Sequence, residues 1–237
     1  MEQKLTMKKG ITDALPIFLG YFSVSIAFGV LAVQKGIPLW APLVMSLTDF
    51  SGTGQFAALD LLSSLAAFAE IACAILIINA RYFLMSVSLS QKLPPDIKQW
   101  QRYIIAFGNT DEVYAVAMGQ TLPLNFKYML GLILCSYCGW VGGTVVGTFG
   151  GSIVPAAVSS AFGISLYAMF LAIIIPPATQ SKPITVTILL AGFISCIFYY
   201  TPGLKNLSSG WIIIISGIAA SAFSALKFPV TEDKNEL

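Results

Sequence analysis

The sequence predicts an all-α, polytopic membrane protein with seven or eight transmembrane helices, including broken or re-entrant segments near 46–56 and 108–112. Three observations carry this prediction. Of the 237 residues, 57% are hydrophobic and 10% charged, where soluble domains carry about a quarter charged residues. The apolar residues fall into runs of about 20, the length that crosses a bilayer as a helix. Fourteen of the 24 charged residues lie in three short stretches, Glu2–Asp13, Lys92–Arg102 and Lys227–Glu236. An ordinary soluble enzyme, a disordered chain, a collagen-like chain and a disulfide scaffold are excluded. With 13 basic against 11 acidic residues, no nucleic-acid partner is indicated.

Candidate spans are 14–33, 41–60, 65–91, 103–124, 128–149, 160–178, 184–201 and 210–227. The first follows Lys8 and Lys9 and runs too long for a signal-peptide core, so it reads as a span. Gly36-Ile37-Pro38, Pro94-Pro95, Gly150-Gly151 with Pro155, Pro176-Pro177 and Pro202-Gly203 punctuate the joins. Nothing between spans is long enough to fold alone, so residues 1–237 read as one membrane domain with polar tails at 1–13 and 228–237. Segment 41–60 reads either as a full span or as a re-entrant hairpin. The count of Lys and Arg by side, Arg81 excluded, gives the same seven against five under both arrangements. The re-entrant arrangement is preferred because it places the dense basic loop 92–102 in the cytoplasm.

Six charged residues stand in apolar surroundings: Asp49, Asp60, Glu70, Arg81, Asp111 and Glu112. Ionisable groups at membrane depth cost several kcal/mol and mark functional sites. Segment 46–56 packs Asp49, Gly52, Gly54, Gln55 and four hydroxyls into eleven residues. The two glycines disfavour helix and predict unwound backbone at Gly52–Gln55, which survives at membrane depth only in protein or beside a cavity. The competing reading is a polar loop between shorter spans. In 103–124, Asn109 or Thr110 is placed to cap a helix whose first turn holds Asp111 and Glu112. The pair lies either within a span or at the start of a broken one. Neighbouring helical residues point about 100° apart, so the two acids do not share a face.

Arg81, counted from Leu65, falls about 24 Å along its helix, in the far third of the bilayer. It either snorkels to the interface or pairs with a buried acid or a substrate carboxylate. Asn79 and Tyr82 share a face, and Asn79 needs a partner. Glu70 reads as a proton-carrying carboxyl or as an interhelical hydrogen bond, and Asp60, beside Ser63 and Ser64, as interfacial or capping. Gly139, Gly143, Gly147 and Gly151 recur every four residues and read as a helix-packing stripe, internal first and between subunits second. There is no histidine, and Cys135-Ser136-Tyr137-Cys138 has no second cysteine pair, so no metal site and no cofactor are expected. All four cysteines lie in apolar segments, which argues against a disulfide framework. No metallohydrolase motif, nucleophile elbow or second acid pair at hydrolase spacing is present, so no catalytic residues and no enzyme activity are expected.

Four motifs carry a family resemblance: Gly20-Tyr21-Phe22 with Ala27-Phe28-Gly29-Val30-Leu31-Ala32, then Ser51-Gly52-Thr53-Gly54-Gln55-Phe56, Asn79-Ala80-Arg81 and Thr110-Asp111-Glu112. Together they resemble the AzlC-type family, the large subunit of two-component branched-chain amino acid exporters. The resemblance implies a permease of the bacterial cytoplasmic (inner) membrane working with a small hydrophobic AzlD-type subunit, with a homo-oligomer of that heteromer open. It implies export of leucine, isoleucine, valine or related apolar amino acids such as methionine. The chain departs from the family pattern at Ser23 and Ser25, at Tyr82 where histidine is expected, and at Asp49 where the pattern is apolar. Asp49, Gly52, Gly54, Gln55, Asn79 and Arg81 are the expected substrate contacts, with Phe and Ile side chains lining an apolar pocket. Glu70, Asp111 and Glu112 are the expected proton-coupling or ion-pair groups, since imidazole is absent. The alternatives are a transporter or channel for a different small metabolite, or a membrane scaffold.

Overall fold

The computed structural model of the chain describes residues 5–151, 171, 174–175, 177–202, 207 and 209–229. Among them every regular element is a helix: α1 (Met7–Gln34), α2 (Trp40–Thr48), α3 (Gly52–Ser63), α4 (Phe68–Lys92), α5 (Gln99–Phe107), α6 (Asp111–Met118), α7 (Phe126–Gly150), α8 (Lys182–Tyr200) and α9 (Ser209–Lys227). Five are long and apolar enough to cross a membrane: α1, α4, α7, α8 and α9. The candidate span 160–178 lies almost wholly outside the described residues, as do the junction residues Pro155, Pro176 and Gly203 and most of the C-terminal tail. The described residues group into two compact units, Met1–Leu59 with Ile78–Leu166, and Asp60–Ile77 with Tyr167–Leu237.

The first unit is built on α1 and α7. A side chain on Gly139 would collide with the backbone of Phe18, on Gly143 with Phe22 and on Gly147 with Ile26, and one on Gly151 would press on Val30. Residue numbers rise together along both helices, so α1 and α7 run parallel, in backbone contact over most of their length. Membrane helices gain little from burying apolar surface against one another, and small residues permit the van der Waals contact that does hold them.

The two interrupted segments are hairpins. Phe50, after α2, packs edge-on to Tyr21 of α1, and Phe56 of α3 packs edge-on to Phe28. So α3 climbs beside α1 towards the end of α1 from which α2 descended. In the second hairpin, Arg102 of α5 lies by Pro94 and Asn109 by Ser86, so α5 runs antiparallel to α4. Asp111 then meets Arg81, Tyr114 meets Ser88, and Met118 and Gln120 meet Lys92, so α6 runs back parallel to α4. Each segment therefore returns to the face it left. This agrees with the re-entrant reading of 41–60 and with the broken or re-entrant segment expected near 108–112, and it corrects only the listing of 103–124 as a candidate span. The apolar length of 103–124 comes from two antiparallel helices of nine and eight residues.

The hairpins enter from opposite faces. Leu5–Met7, Pro94–Lys98 and Asn125–Lys127 line one cavity of about 680 Å³, placing the starts of α1, α5 and α7 on one face. Of the eight Lys and Arg between residues 5 and 151, that face holds Lys8, Lys9, Lys92, Lys98, Arg102 and Lys127, the opposite face holds Lys35, and Arg81 lies between. The positive-inside rule assigns the first face to the cytoplasm, which breaks the tie left by the sequence.

In the second unit the last turn of α3 and the first part of α4 pack with α8 and α9. Leu61, Ala74 and Ile214 form its small core. Glu70 is buried against Gly210, and Thr187 donates to Ser224 at 2.5 Å, tying the antiparallel α8 and α9.

Candidate functional site

The tips of the two hairpins meet beside Tyr21, near the middle of the 28-residue α1. At the first tip, Asp49–Ser51 leaves the helical conformation, and Ser51 restarts the chain. Its Oγ accepts from Gly54 N at 3.1 Å, the N-cap geometry, and donates to Asn79 Oδ1 at 2.6 Å. The expected unwinding at Gly52–Gln55 is thus displaced to Asp49–Ser51, and Gly52 and Gly54 lie inside α3. Their reason is close approach: a Cβ on Gly52 would stand 2.7 Å from the Trp140 indole, and one on Gly54 would stand 2.8 Å from Ser51 Oγ.

Gln55, fully buried, clips the first tip together. Its Nε2 donates to Asp49 O, and its Oε1 accepts from Ser46 Oγ at 3.0 Å and Trp140 Nε1 at 3.1 Å. Ser46 shares a further hydrogen bond with Thr144 at 2.8 Å. Every polar atom of the Gln55 amide that reaches the break has a partner there, which is what a buried amide requires.

The second tip is charged. Thr110 caps α6 through Val113 N, and the two acids that follow diverge. Asp111 Oδ2 lies 2.5 Å from Arg81 Nη1, while Glu112 accepts from the Tyr21 hydroxyl, itself 2.7 Å from Thr110 Oγ1. Arg81 is the hub. Its Nη2 donates to Thr53 Oγ1 at 3.2 Å and Tyr82 OH at 3.3 Å, and its guanidinium lies over the Tyr82 ring at 4.9 Å. One side chain of α4 thereby holds the returning arm of each hairpin. Because α4 begins at Phe68 and not at Leu65, Arg81 falls about 20 Å along a helix of about 37 Å, at its middle and not in the far third. The Arg81 and Asp111 side chains are 31% and 25% exposed, so the pair remains accessible.

Between the tips lies a cavity of about 100 Å³ lined by Thr48, Asp49, Ser51, Tyr82, Phe107 and Asn109, among others. Phe50 stacks on Phe107 with ring centroids 6.4 Å apart and meets Tyr137 edge-on, giving the tips an aromatic wall.

Of the residues expected from sequence, Asp49, Gly52, Gly54, Gln55, Asn79, Arg81, Asp111 and Glu112 gather at the hairpin tips. Glu70 lies in the other compact unit. The glycines 139, 143, 147 and 151 face α1, away from the cavity lining. Sequence reading passed over Tyr21, Ser46, Ser51, Thr53, Phe50, Trp140 and Thr144 as site residues. Ser46, Phe50, Ser51 and Thr53 lie inside the hydroxyl-rich segment 46–56, and Tyr21 lies inside the motif Gly20-Tyr21-Phe22. Nothing local marks Trp140.

A model of the AzlC protein family matches residues 16–154, which hold both hairpins and α7. The chain is 28% identical to the inner membrane protein YgaZ of Escherichia coli K12, over 93% of this chain and 90% of the relative. It is 36% identical to an uncharacterized membrane protein of Archaeoglobus fulgidus, over 74% of this chain and 78% of that one. It is 30% identical to the branched-chain amino acid transport protein AzlC of Bacillus subtilis, over 59% of this chain and 56% of that protein. No solved structure matches.

Proposed function

The chain belongs to the AzlC family of membrane transport proteins, and from that premise we propose that it exports branched-chain or related apolar amino acids, such as methionine, across the bacterial inner membrane. It works as one membrane domain, the large subunit of a two-component permease whose second subunit is a small hydrophobic AzlD-type protein. The observation that carries the reading is the Arg81–Asp111 pair, set where two opposed re-entrant hairpins meet. A zwitterion needs a cationic or helix-N-terminal partner for its carboxylate and an anionic or carbonyl partner for its ammonium. Arg81 lies between the first turns of α3 and α6, touching Thr53 and Asp111, so a substrate carboxylate at the guanidinium meets two positive helix ends as well. That carboxylate competes with Asp111, and the carboxyl displaced from Arg81 is then free to take a proton. Coupling runs through Asp111 or Glu112, because the chain has no imidazole.

Efflux from cells preloaded with leucine, isoleucine and valine, and with methionine supplied as dipeptides, tests the proposal. Wild-type protein with its partner accelerates efflux, while Arg81→Gln and Asp111→Asn remain in the membrane and do not. Efflux of all four amino acids at the background rate, with both subunits verified in the membrane, discards the substrate class.

A further inference from the structure

The polarity of the two hairpins is not symmetric about Arg81. The starts of α3 and α6 gather around the guanidinium. The ends of α2 and α5, at Thr48 and Phe107, reach the neighbouring cavity, which Ser51, the cap of α3, also lines. Helix C-termini carry about half a negative charge, so two negative ends reach this cavity. Its titratable lining is the Asp49 carboxylate and the neutral Tyr82 phenol, with the Thr48 and Ser51 hydroxyls beside them. Asn109, 3% exposed, adds an acceptor: its Nδ2 donates to Ser86 Oγ at 3.0 Å, while its Oδ1 is buried with no hydrogen-bond partner among the described residues. Leaving a buried acceptor unsatisfied costs about 1–3 kcal/mol, and such a group in a native protein calls for an explanation. The cavity, of about 100 Å³, has room for an ammonium group.

We propose that this cavity is the subsite for the α-ammonium group of the transported amino acid, held between the Asp49 carboxylate and Asn109 Oδ1 while Arg81 takes the carboxylate. Tyr82 joins the two halves, since it lines the cavity and its hydroxyl accepts from Arg81. The two charges of one amino acid thus meet opposite helix ends on either side of a single tyrosine. The assignment rests on the amino-acid reading above, and it adds Asn109 and a requirement for a free amino group.

The test is equilibrium binding to the full-length protein reconstituted with its small partner subunit in lipid nanodiscs, comparing leucine with 4-methylpentanoate, which keeps the carboxylate and side chain and lacks the ammonium. Wild type favours leucine by about tenfold or more. Asp49→Asn and Asn109→Leu bring the ratio towards one, Asn109→Asp preserves it, and Arg81→Gln weakens both ligands alike. Asp49→Asn is isosteric and carries the test where Asn109→Leu fails to fold. An unchanged ratio in Asp49→Asn overturns the subsite while leaving an amino-acid transporter in place. Leucine affinity that rises with sodium at constant ionic strength in wild type but not in Asp49→Asn gives the cavity to a metal cation and overturns it as well. Wild-type protein that binds neither ligand removes the substrate class itself, and the subsite with it.

Discussion

The two hairpins solve the same problem with different chemistry. Each must interrupt a helix at membrane depth and satisfy the backbone and side chains at the break. The first does so with a neutral network, Gln55, Ser46, Thr144 and Trp140, almost entirely buried. The second uses charge: Asp111 on Arg81, Glu112 on Tyr21, and Lys92 donating to the carbonyls of Met118 and Gln120 at 2.6 and 2.7 Å. A buried neutral network is rigid, because each member leaves a costly orphan if it moves. A half-exposed ion pair can exchange one partner for a charged ligand. Under the proposed function, the first hairpin is therefore the fixed wall of the site and the second the element that responds to substrate.

The largest effect is expected at the fixed wall. Gln55→Leu strands Asp49 O and the Trp140 indole N–H, at about 1–3 kcal/mol each, takes one of the two partners from Ser46, and should abolish monodisperse protein in detergent. If Gln55→Leu purifies as well as the variants of the second hairpin, the contrast between rigid and responsive is wrong.

Next comes the ion pair. Arg81→Gln and Asp111→Asn each leave one charge uncompensated and are expected to cost about 1–2 kcal/mol, reduced by their exposure. The double variant should be more stable in thermal melts than the sum of the two losses, while transport stays absent. Strict additivity would show that the two do not act as a pair.

Lys92→Met removes two charge-assisted bonds to the end of α6 and should cost about 1–2 kcal/mol. Its signature is local: faster hydrogen exchange at 116–120, with the first hairpin unchanged. Tyr21→Phe gives the smallest effect, about 1 kcal/mol, by removing the hydroxyl from Thr110 and Glu112 while keeping the ring against Phe50 and Trp140. It separates the hydroxyl from the aromatic packing, and a loss as large as that of Tyr21→Ala would place the contribution in the ring.

Much of this was legible in local sequence. The hydroxyls and glycines of 46–56 announced a break, although it fell on Asp49–Ser51, because Gly52 and Gly54 serve the approach of Trp140 and Ser51 to a helix they do not unwind. Thr110-Asp111-Glu112 announced a capped helix start, and the 100° step between neighbouring residues foretold that the acids diverge, one to Arg81 and one to Tyr21. The four-residue glycine repeat marked the face turned to α1. The partners themselves were not legible. Glu112 and Tyr21 are 91 positions apart, and Gln55 and Trp140 are 85 apart. No short-range pattern encodes such pairs.

What the sequence determined by itself was the set of helices, the places where two of them break, and the few charges that membrane burial makes costly, because each depends on residues within a turn or two of one another. Only the tertiary structure decided that 103–124 turns back, that α1 and α7 run parallel, and that the starts of α1, α5 and α7 share one face. An apolar run of two helices has the same composition whether it crosses or folds on itself. The difference lies in long-range contacts such as Lys92 with Gln120, which hold the returning helix beside α4.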